Sequence, residues 1–177
     1  MRVPSNLLKA NDLRMKTIGI FSDTHSYINP ALYTFFKDCD ELWHAGDWGN
    51  LNDYFKVKEF KPLKTVYGNI DGPEFKNHMP DVLQFVCEDL NICILHIGGY
   101  PGKYSKQFKQ VLENYNPDIM ICGHSHILKI INDPVRKILN INPGAAGNHG
   151  FHTKPTAIKL IINNKKPSEL KVWEGSK

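Results

Sequence analysis

The sequence predicts an α/β domain. Three observations carry that reading. In the first half, short apolar runs alternate with amphipathic stretches, and each run breaks into a polar loop. In the second half, apolar runs separated by tight turns read as hairpins. Asp, Asn and His recur directly after these runs, and open α/β sheets bind ligands beyond the carboxyl ends of their strands.

Taken in order, residues 1–15 read as a flexible polar extension, with Met15 as an alternative start and residues 16–177 as the domain. Thr17–Phe21 reads as a short buried strand that opens into Ser22-Asp23-Thr24-His25-Ser26. Asn29-Pro30 starts a helix, because proline suits the first helical position. Leu32, Phe35 and Phe36 then give its apolar face. A second strand, Glu41–His44, runs into Ala45-Gly46-Asp47-Trp48-Gly49-Asn50, and a helix follows over Leu51–Phe60. Lys64–Tyr67 is a third strand, ending in Gly68-Asn69-Ile70-Asp71-Gly72.

Leu83–Cys87 and Asn91–Leu95 read as a hairpin turned by Glu88-Asp89-Leu90 and ending in His96-Ile97-Gly98-Gly99. From Ser105, the positions Phe108, Val111, Leu112 and Tyr115 mark an amphipathic helix that ends at Asn116-Pro117. Ile119-Met120-Ile121 is a buried strand leading into Cys122-Gly123-His124-Ser125-His126. Lys137–Ile141, Thr156–Ile162 and Leu170–Trp173 complete the strands.

The bulk properties narrow the function classes. A chain of 177 residues with 41% hydrophobic and 23% charged residues fits one soluble domain with a sizeable core. A net charge of +4 without a Lys/Arg run longer than two leaves no nucleic-acid footprint. No stretch approaches the roughly 20 apolar residues of a membrane span. Cys39, Cys87, Cys93 and Cys122 form no Cys-x-x-Cys pair, and most sit in apolar runs. That favours reduced structural thiols and a cytoplasmic protein.

The polar residues that follow strands are Asp23 and His25, Asp47, Asn69 and Asp71, His96, and His124 and His126. In an extended segment residues i and i+2 share a side, so the His124 and His126 imidazoles are expected to face one point. The set has no thiolate, which argues for a catalytic site with hard or borderline divalent ions rather than a structural zinc. It also holds too many donors for one ion. A two-metal site needs a bridging carboxylate, and Asp47, beside Gly46, suits the bridge.

These motifs, Asp23-Thr24-His25, Gly46-Asp47, Gly68-Asn69-Ile70-Asp71, His96 and Gly123-His124-Ser125-His126, resemble in this order the calcineurin-like metallophosphoesterase superfamily. The short chain and the Gly-Asn-x-Asp form are most similar to its small YfcE-type phosphodiesterases. The resemblance implies a four-layer α/β/β/α sandwich, two mixed sheets packed face to face with helices outside. It implies that Asp23, His25 and His126 hold one divalent ion and that Asn69, His96 and His124 hold a second, with Asp47 bridging. A hydroxide shared by the ions would attack phosphorus, with Asn69 helping to stabilise the charge. Manganese is the metal expected by analogy, and iron, zinc, nickel, cobalt or magnesium are alternatives. The substrate expected is a small phosphodiester. A phosphomonoesterase and a non-catalytic scaffold of the same fold are the alternatives, and a homodimer or homotetramer is common among relatives.

One departure matters. Many relatives carry histidine after the motif asparagine, and it is thought to protonate the leaving oxygen. This chain has Ile70 there, as the YfcE-type proteins also lack that histidine. Four further residues stand near the constellation. Asp71 reads as a group that orients a neighbour, and His44 reads as structural. His149 and His152, in a glycine-rich stretch expected to be flexible, are candidates for touching substrate or replacing the missing proton donor. Trp48 either walls the pocket or packs in the core.

Overall fold

The computed structural model describes residues 15–177. The expected extension over 1–15 lies outside the described residues except at Met15. Met15 opens the first strand and pairs with Asn163, so the strand starts one residue before the expected boundary. The elements are β1 (Met15–Phe21), α1 (Ala31–Phe36), β2 (Glu41–His44), α2 (Leu51–Phe60), β3 (Leu63–Thr65) and a 3-10 turn (Pro73–Asn77). They continue with β4 (Val82–Cys87), β5 (Leu90–Leu95), β6 (Gly99–Tyr100), β7 (Lys103–Tyr104) and α3 (Lys106–Asn114). The chain ends with β8 (Ile119–Ile121), β9 (Leu128–Asp133), β10 (Ile138–Pro143), β11 (Thr156–Asn163) and β12 (Lys166–Glu174).

Two five-stranded sheets have the orders β12-β11-β1-β2-β3 and β4-β5-β8-β10-β9. Both are mixed. In the first, β1, β2 and β3 are parallel, and β11 runs antiparallel to both of its neighbours, β1 and β12. In the second, β5, β8 and β10 are parallel, flanked by antiparallel β4 and β9.

Strand alternation explains the layers. Ile18, Ile20, Trp43, Ile92, Ile94 and Ile121 project between the sheets and form the central core. Phe21 and Leu42 project the other way, onto Leu32 and Phe36 of α1 and Tyr54 and Val57 of α2. On the second sheet Cys93, Leu95 and Met120 meet Phe108 of α3. The result is the four-layer sandwich. Fully burying one such Ile or Phe contributes about 1.5–3 kcal/mol, which fixes strand register, since a one-residue slip would swap the two faces.

Local chemistry ends and starts the elements. Asn50 caps α2 reciprocally: its Oδ1 accepts from the Asp53 N–H (2.9 Å) and its Nδ2 donates to Asp53 Oδ2 (2.9 Å). Ser105 Oγ accepts the Phe108 N–H at the start of α3. The β4–β5 turn is tighter than expected: Glu88 and Asp89 alone make it, both at positive φ, and Leu90 already belongs to β5. Asn164 and Lys165 close β11–β12 in the same way. The sequence reading passed over β9, whose burial alternates weakly at a sheet edge, and the two-residue strands β6 and β7, too short to show a period.

Candidate metal centre

The carboxyl ends of β1, β2, β5 and β8 meet at one edge of the sandwich, and the loops leaving them carry the candidate ligands. Their backbone is unusual. Asp23, His25, Asp47, His124 and His126 all have positive φ, between 46° and 68°. Such a conformation costs a non-glycine residue about 1–2 kcal/mol, and clusters of it mark functional sites. The other positive-φ non-glycine residues among those described are Ser26, beside His25, and hairpin-turn positions or Lys137. This corrects the expected extended geometry of His124-Ser125-His126. The two rings are brought in by left-handed turns, and they face different neighbours.

Two glycines make the approach possible. A Cβ on Gly68 would collide with the Asp47 carboxylate and main chain, and one on Gly123 would collide with Asp23 Oδ2. The Gly-Asn and Gly-His steps in the motifs therefore serve residues elsewhere in the chain.

The side chains converge in two overlapping groups whose donor atoms lie within 4.8 Å of one another: Asp23, His25 and His126, and Asp23, Asp47 and His96. His126 Nε2 lies 3.3 Å from Asp23 Oδ1 and 3.2 Å from His25 Nε2. His25 Nε2 is 3.7 Å from Asp47 Oδ2, and His96 Nε2 is 3.2 Å from Asp47 Oδ1 and 4.0 Å from Asp23 Oδ1. Donors bound about 2.1 Å from one ion, at 90–110° to each other, lie roughly 3.0–3.4 Å apart. The shortest of these separations match that spacing.

His96 supplies the most direct test of fit. Its Nδ1 lies 2.7 Å from the Ala45 carbonyl, so that nitrogen carries the proton and donates it. Nε2 is left as a bare lone pair, buried and without a hydrogen-bond partner among the described residues, aimed at two carboxylates. For the neutral ring, lone pair facing carboxylate is repulsive unless a cation sits between them, and without a metal a proton takes that place. Burial lowers the proton affinity of His96, but Asp47 and Asp23 outweigh it and raise the pKa above the ordinary value. For Asp47, burial acts upward, but His96, the Ile70 N–H (3.1 Å from Oδ1) and His25 bring the carboxyl below its ordinary value. The residues fit divalent cations of hard to borderline character, with N and O donors only.

Supporting contacts hold this arrangement. Asp71 accepts three backbone N–H groups: Asp47 (3.0 Å) and Gly68 (2.7 Å) on Oδ2, and Gly49 (2.9 Å) on Oδ1. It thereby pins the turn that presents Asp47. Asp23 accepts from the Ser22 hydroxyl and from the His124 N–H at 3.1 Å. Asn142 donates to the Gly123 carbonyl (2.7 Å) and Ser125 Oγ (3.1 Å), fastening the His124–His126 loop. Sequence reasoning missed Ser22 and Asn142. Ser22 stood beside an assigned ligand, and Asn142 looked like part of an Asn-Pro-Gly turn.

The remaining candidates divide. The His124 ring lies 5.3 Å from the His96 ring but belongs to neither donor group. Asn69 and Ile70 line the same cleft, of about 520 Å³, as His25, Asp47 and His126. His44 is fully buried: Nδ1 accepts from the Gly46 N–H (3.1 Å), and the ring stacks on Trp48 at 3.6 Å. Trp48 packs in the core, with Nε1 donating to Thr65 Oγ1. His149 reaches the cleft with its ring 4.9 Å from that of His25, and the His152 ring lies 5.5 Å from that of His126. The expected flexible stretch is buried from Pro143 to Gly147, with Ala146 and Gly147 N–H groups bonded to the Ser22 and Asp23 carbonyls.

Comparison with known proteins follows this geometry. The family described as the calcineurin-like phosphoesterase superfamily domain matches residues 15–165. A probable metallophosphoesterase of Methanothermobacter thermautotrophicus is 27% identical over 156 residues, 84% of this chain and 87% of that protein. Among solved structures, vacuolar protein sorting 29 from Cryptosporidium parvum superposes with a TM-score of 0.69 at 16% identity, covering 94% of this chain and 100% of that one. Its namesake from Entamoeba histolytica, solved with zinc, gives 0.67 at 17% identity, covering 89% and 91%. At these identities the structural likeness concerns the fold.

Proposed function

The chain belongs to the calcineurin-like phosphoesterase superfamily, and on that premise we propose that it is a phosphodiesterase working with two divalent ions. The observation that carries this is the pair of donor groups sharing Asp23, with the bare His96 Nε2 between carboxylates. Asp23, His25 and His126 would hold one ion, and Asn69, His96 and His124 the other, with Asp47 bridging. Asp23 stands close enough to serve both. When bound, the ions supply positive charge for the phosphoryl oxygens and make water acidic enough to serve as nucleophile near neutral pH. Manganese is the metal proposed first. Iron, zinc, nickel, cobalt and magnesium are the alternatives, since N/O sites discriminate weakly, and zinc is the ion named for the Entamoeba neighbour.

The chain's own residues do the rest. Asp71 keeps Asp47 presented. Asn69 lines the cleft, and its amide would stabilise charge on an equatorial phosphoryl oxygen. Ile70 has no proton to give, so His149, beside His25, is the group assigned to contact the phosphate or protonate the leaving oxygen; His152, the other candidate, is tied up, with Nε2 donating to the Gly147 carbonyl (2.9 Å) and Nδ1 buried. Unchanged kinetics in His149→Ala would remove it from that role. A cytoplasmic setting is supported by the four free, buried cysteines, and no helix among the described residues is long and apolar enough to cross a membrane. A homodimer or homotetramer is the assembly proposed from the resemblance.

Metal analysis combined with hydrolysis of a generic aryl phosphodiester and the matching aryl phosphomonoester, in wild type and Asp47→Asn, tests the reading. Two bound ions and turnover that collapse together in the variant support it. Preference for the monoester would assign a phosphomonoesterase. Bound metal without turnover of either ester would assign a scaffold, the alternative raised by a fold neighbour named for protein sorting. Against the scaffold, the donor residues are all present.

A further inference from the structure

Two buried histidine nitrogens have no hydrogen-bond partner among the described residues, His96 Nε2 and His152 Nδ1. The first faces the carboxylates of the metal centre. The second belongs to a residue that the metal centre leaves without a task. Its tautomer is set by the other ring nitrogen. Nε2 lies 2.9 Å from the Gly147 carbonyl, which can only accept, so Nε2 carries the proton. Nδ1 is therefore a lone pair, and a buried lone pair asks for a donor.

The surroundings identify that donor. The His152 ring stands 5.5 Å from the ring of His126, at an interplanar angle of 73°. Two imidazoles joined by a nitrogen-to-nitrogen hydrogen bond of about 3 Å have centroids roughly 5.3 Å apart. Gly150, at φ 115°, adjoins both rings at their Nδ1 atoms: a Cβ there would collide with His126 Nδ1 and stand 3.4 Å from His152 Nδ1. The absent side chain is what lets the rings come this close. The segment is anchored on either side of His149, with the Gly147 N–H bonded to the Asp23 carbonyl (3.1 Å) and Lys177 Nζ to the Gly150 carbonyl (2.8 Å).

His126 has one proton to place. Its Nε2 faces Asp23 Oδ1 (3.3 Å) and His25 Nε2 (3.2 Å). With an ion held at Nε2, the neutral ring carries its proton on Nδ1, and ligand histidines almost always donate that N–H to a fixed acceptor. We propose that His152 is the positioning residue for His126: His152 Nδ1 accepts the His126 Nδ1–H and so fixes the tautomer and ring orientation of that metal ligand. The inference rests on the reading of His126 as a metal ligand and adds the group that orients it.

Two substitutions separate orientation from packing. His152→Asn can place an amide oxygen where Nδ1 stands but falls short of the Gly147 carbonyl. His152→Gln reaches that carbonyl with its NH2 but has no acceptor at the Nδ1 position. Manganese is titrated calorimetrically into the metal-free full chain. The glutamine variant should bind the ion held by His126 about 10–100-fold more weakly than wild type. The asparagine variant should keep most of that affinity, and the other ion should bind normally in both. The reverse order, with glutamine like wild type and asparagine weakened, would assign His152 to tethering the loop and overturn the proposal. Wild-type affinity in both variants overturns it too.

Nuclear magnetic resonance decides the matter without a variant. In zinc-loaded wild type with 15N-labelled histidine, one exchange-protected imidazole proton should show scalar coupling to nitrogens of two rings. Its absence overturns the contact. His126→Ala tests the premise. If it loses one ion while His152→Gln binds both normally, only the proposal falls. If it keeps both ions at wild-type affinity, or wild type binds neither manganese nor zinc, the ligand reading and the proposal fall together.

Discussion

Asp71 makes no contact with the donor atoms of the two ligand groups, yet its loss should disable them. Its carboxylate accepts from the N–H groups of Asp47, Gly68 and Gly49, and Asp47 is held at φ 60° by that turn. Hydrogen bonds to a charged group are worth about 1.5–3 kcal/mol each. In Asp71→Asn, the single amide oxygen can keep the two bonds made at Oδ2, while its NH2 faces the Gly49 N–H. One bond is lost, about 1.5–3 kcal/mol. For a domain of this size, that lowers Tm by roughly 3–12 °C. Asp71→Ala loses all three bonds and releases Asp47 from its strained backbone, so it should cost more than the asparagine.

Stability alone would not distinguish positioning from packing, so the deciding measurement is metal affinity by calorimetric titration at a temperature where both variants are folded. Removing a group that orients a metal ligand typically weakens binding 10–100-fold. Asn should fall at the low end of that range and Ala at the high end or beyond. A variant that melts earlier but binds both ions as wild type does would refute the positioning role. An alanine variant as stable as wild type would refute the hydrogen-bond reasoning itself.

Further predictions test other parts of the site. His126→Ala and His124→Ala should each remove mainly one ion, read as metals per chain by elemental analysis; two retained ions in both variants would overturn the split between the metals. Because Ile70 cannot transfer a proton and general acid catalysis contributes about 10²–10⁴-fold, aryl diesters should be hydrolysed much faster than alkyl diesters. Equal rates with chemistry limiting would contradict this. His44 is fully buried, and burial, reinforced by His96, holds its pKa well below the ordinary 6.5. Protonation therefore favours the unfolded chain: the contribution is complete above pH 6.5 and is lost as pH falls below it, by up to about 1.4 kcal/mol per pH unit. In urea melts at pH 7.5 and 5.5, His44→Gln should show a shallower acid loss than wild type, and identical slopes would exclude His44 as its source.

Much of the site was legible in the chain because loops after buried strands are local features. Asp23, His25, Asp47, Asn69, His96, His124 and His126 all follow apolar runs that became β1, β2, β3, β5 and β8, or in the case of Asn69 lie just beyond one. The supporting residues were harder to see. Asp71 and Asn142 act on backbone groups brought near by turns, and a turn residue that ties a loop is indistinguishable in sequence from one that merely makes a turn. Edge strand β9 was missed for a related reason: Lys129, Asn132 and Asp133 break its apolar alternation, since an edge buries little.

The sequence by itself determined the α/β class, the buried strands and the residue types available for metal binding, because periodicity and side-chain chemistry are properties of neighbours along the chain. The tertiary structure decided which donors share an ion. Asp23 and His126 are far apart in sequence yet lie 3.3 Å apart, since one comes from each sheet and only the packing of Ile18, Ile20, Ile92 and Ile121 between them sets that distance. It also decided that His124 and His126 face different partners, since backbone dihedrals at positive φ override the two-residue alternation of a strand. The orphaned His96 Nε2 belongs to the same category: a missing partner is defined only once every neighbour is in place.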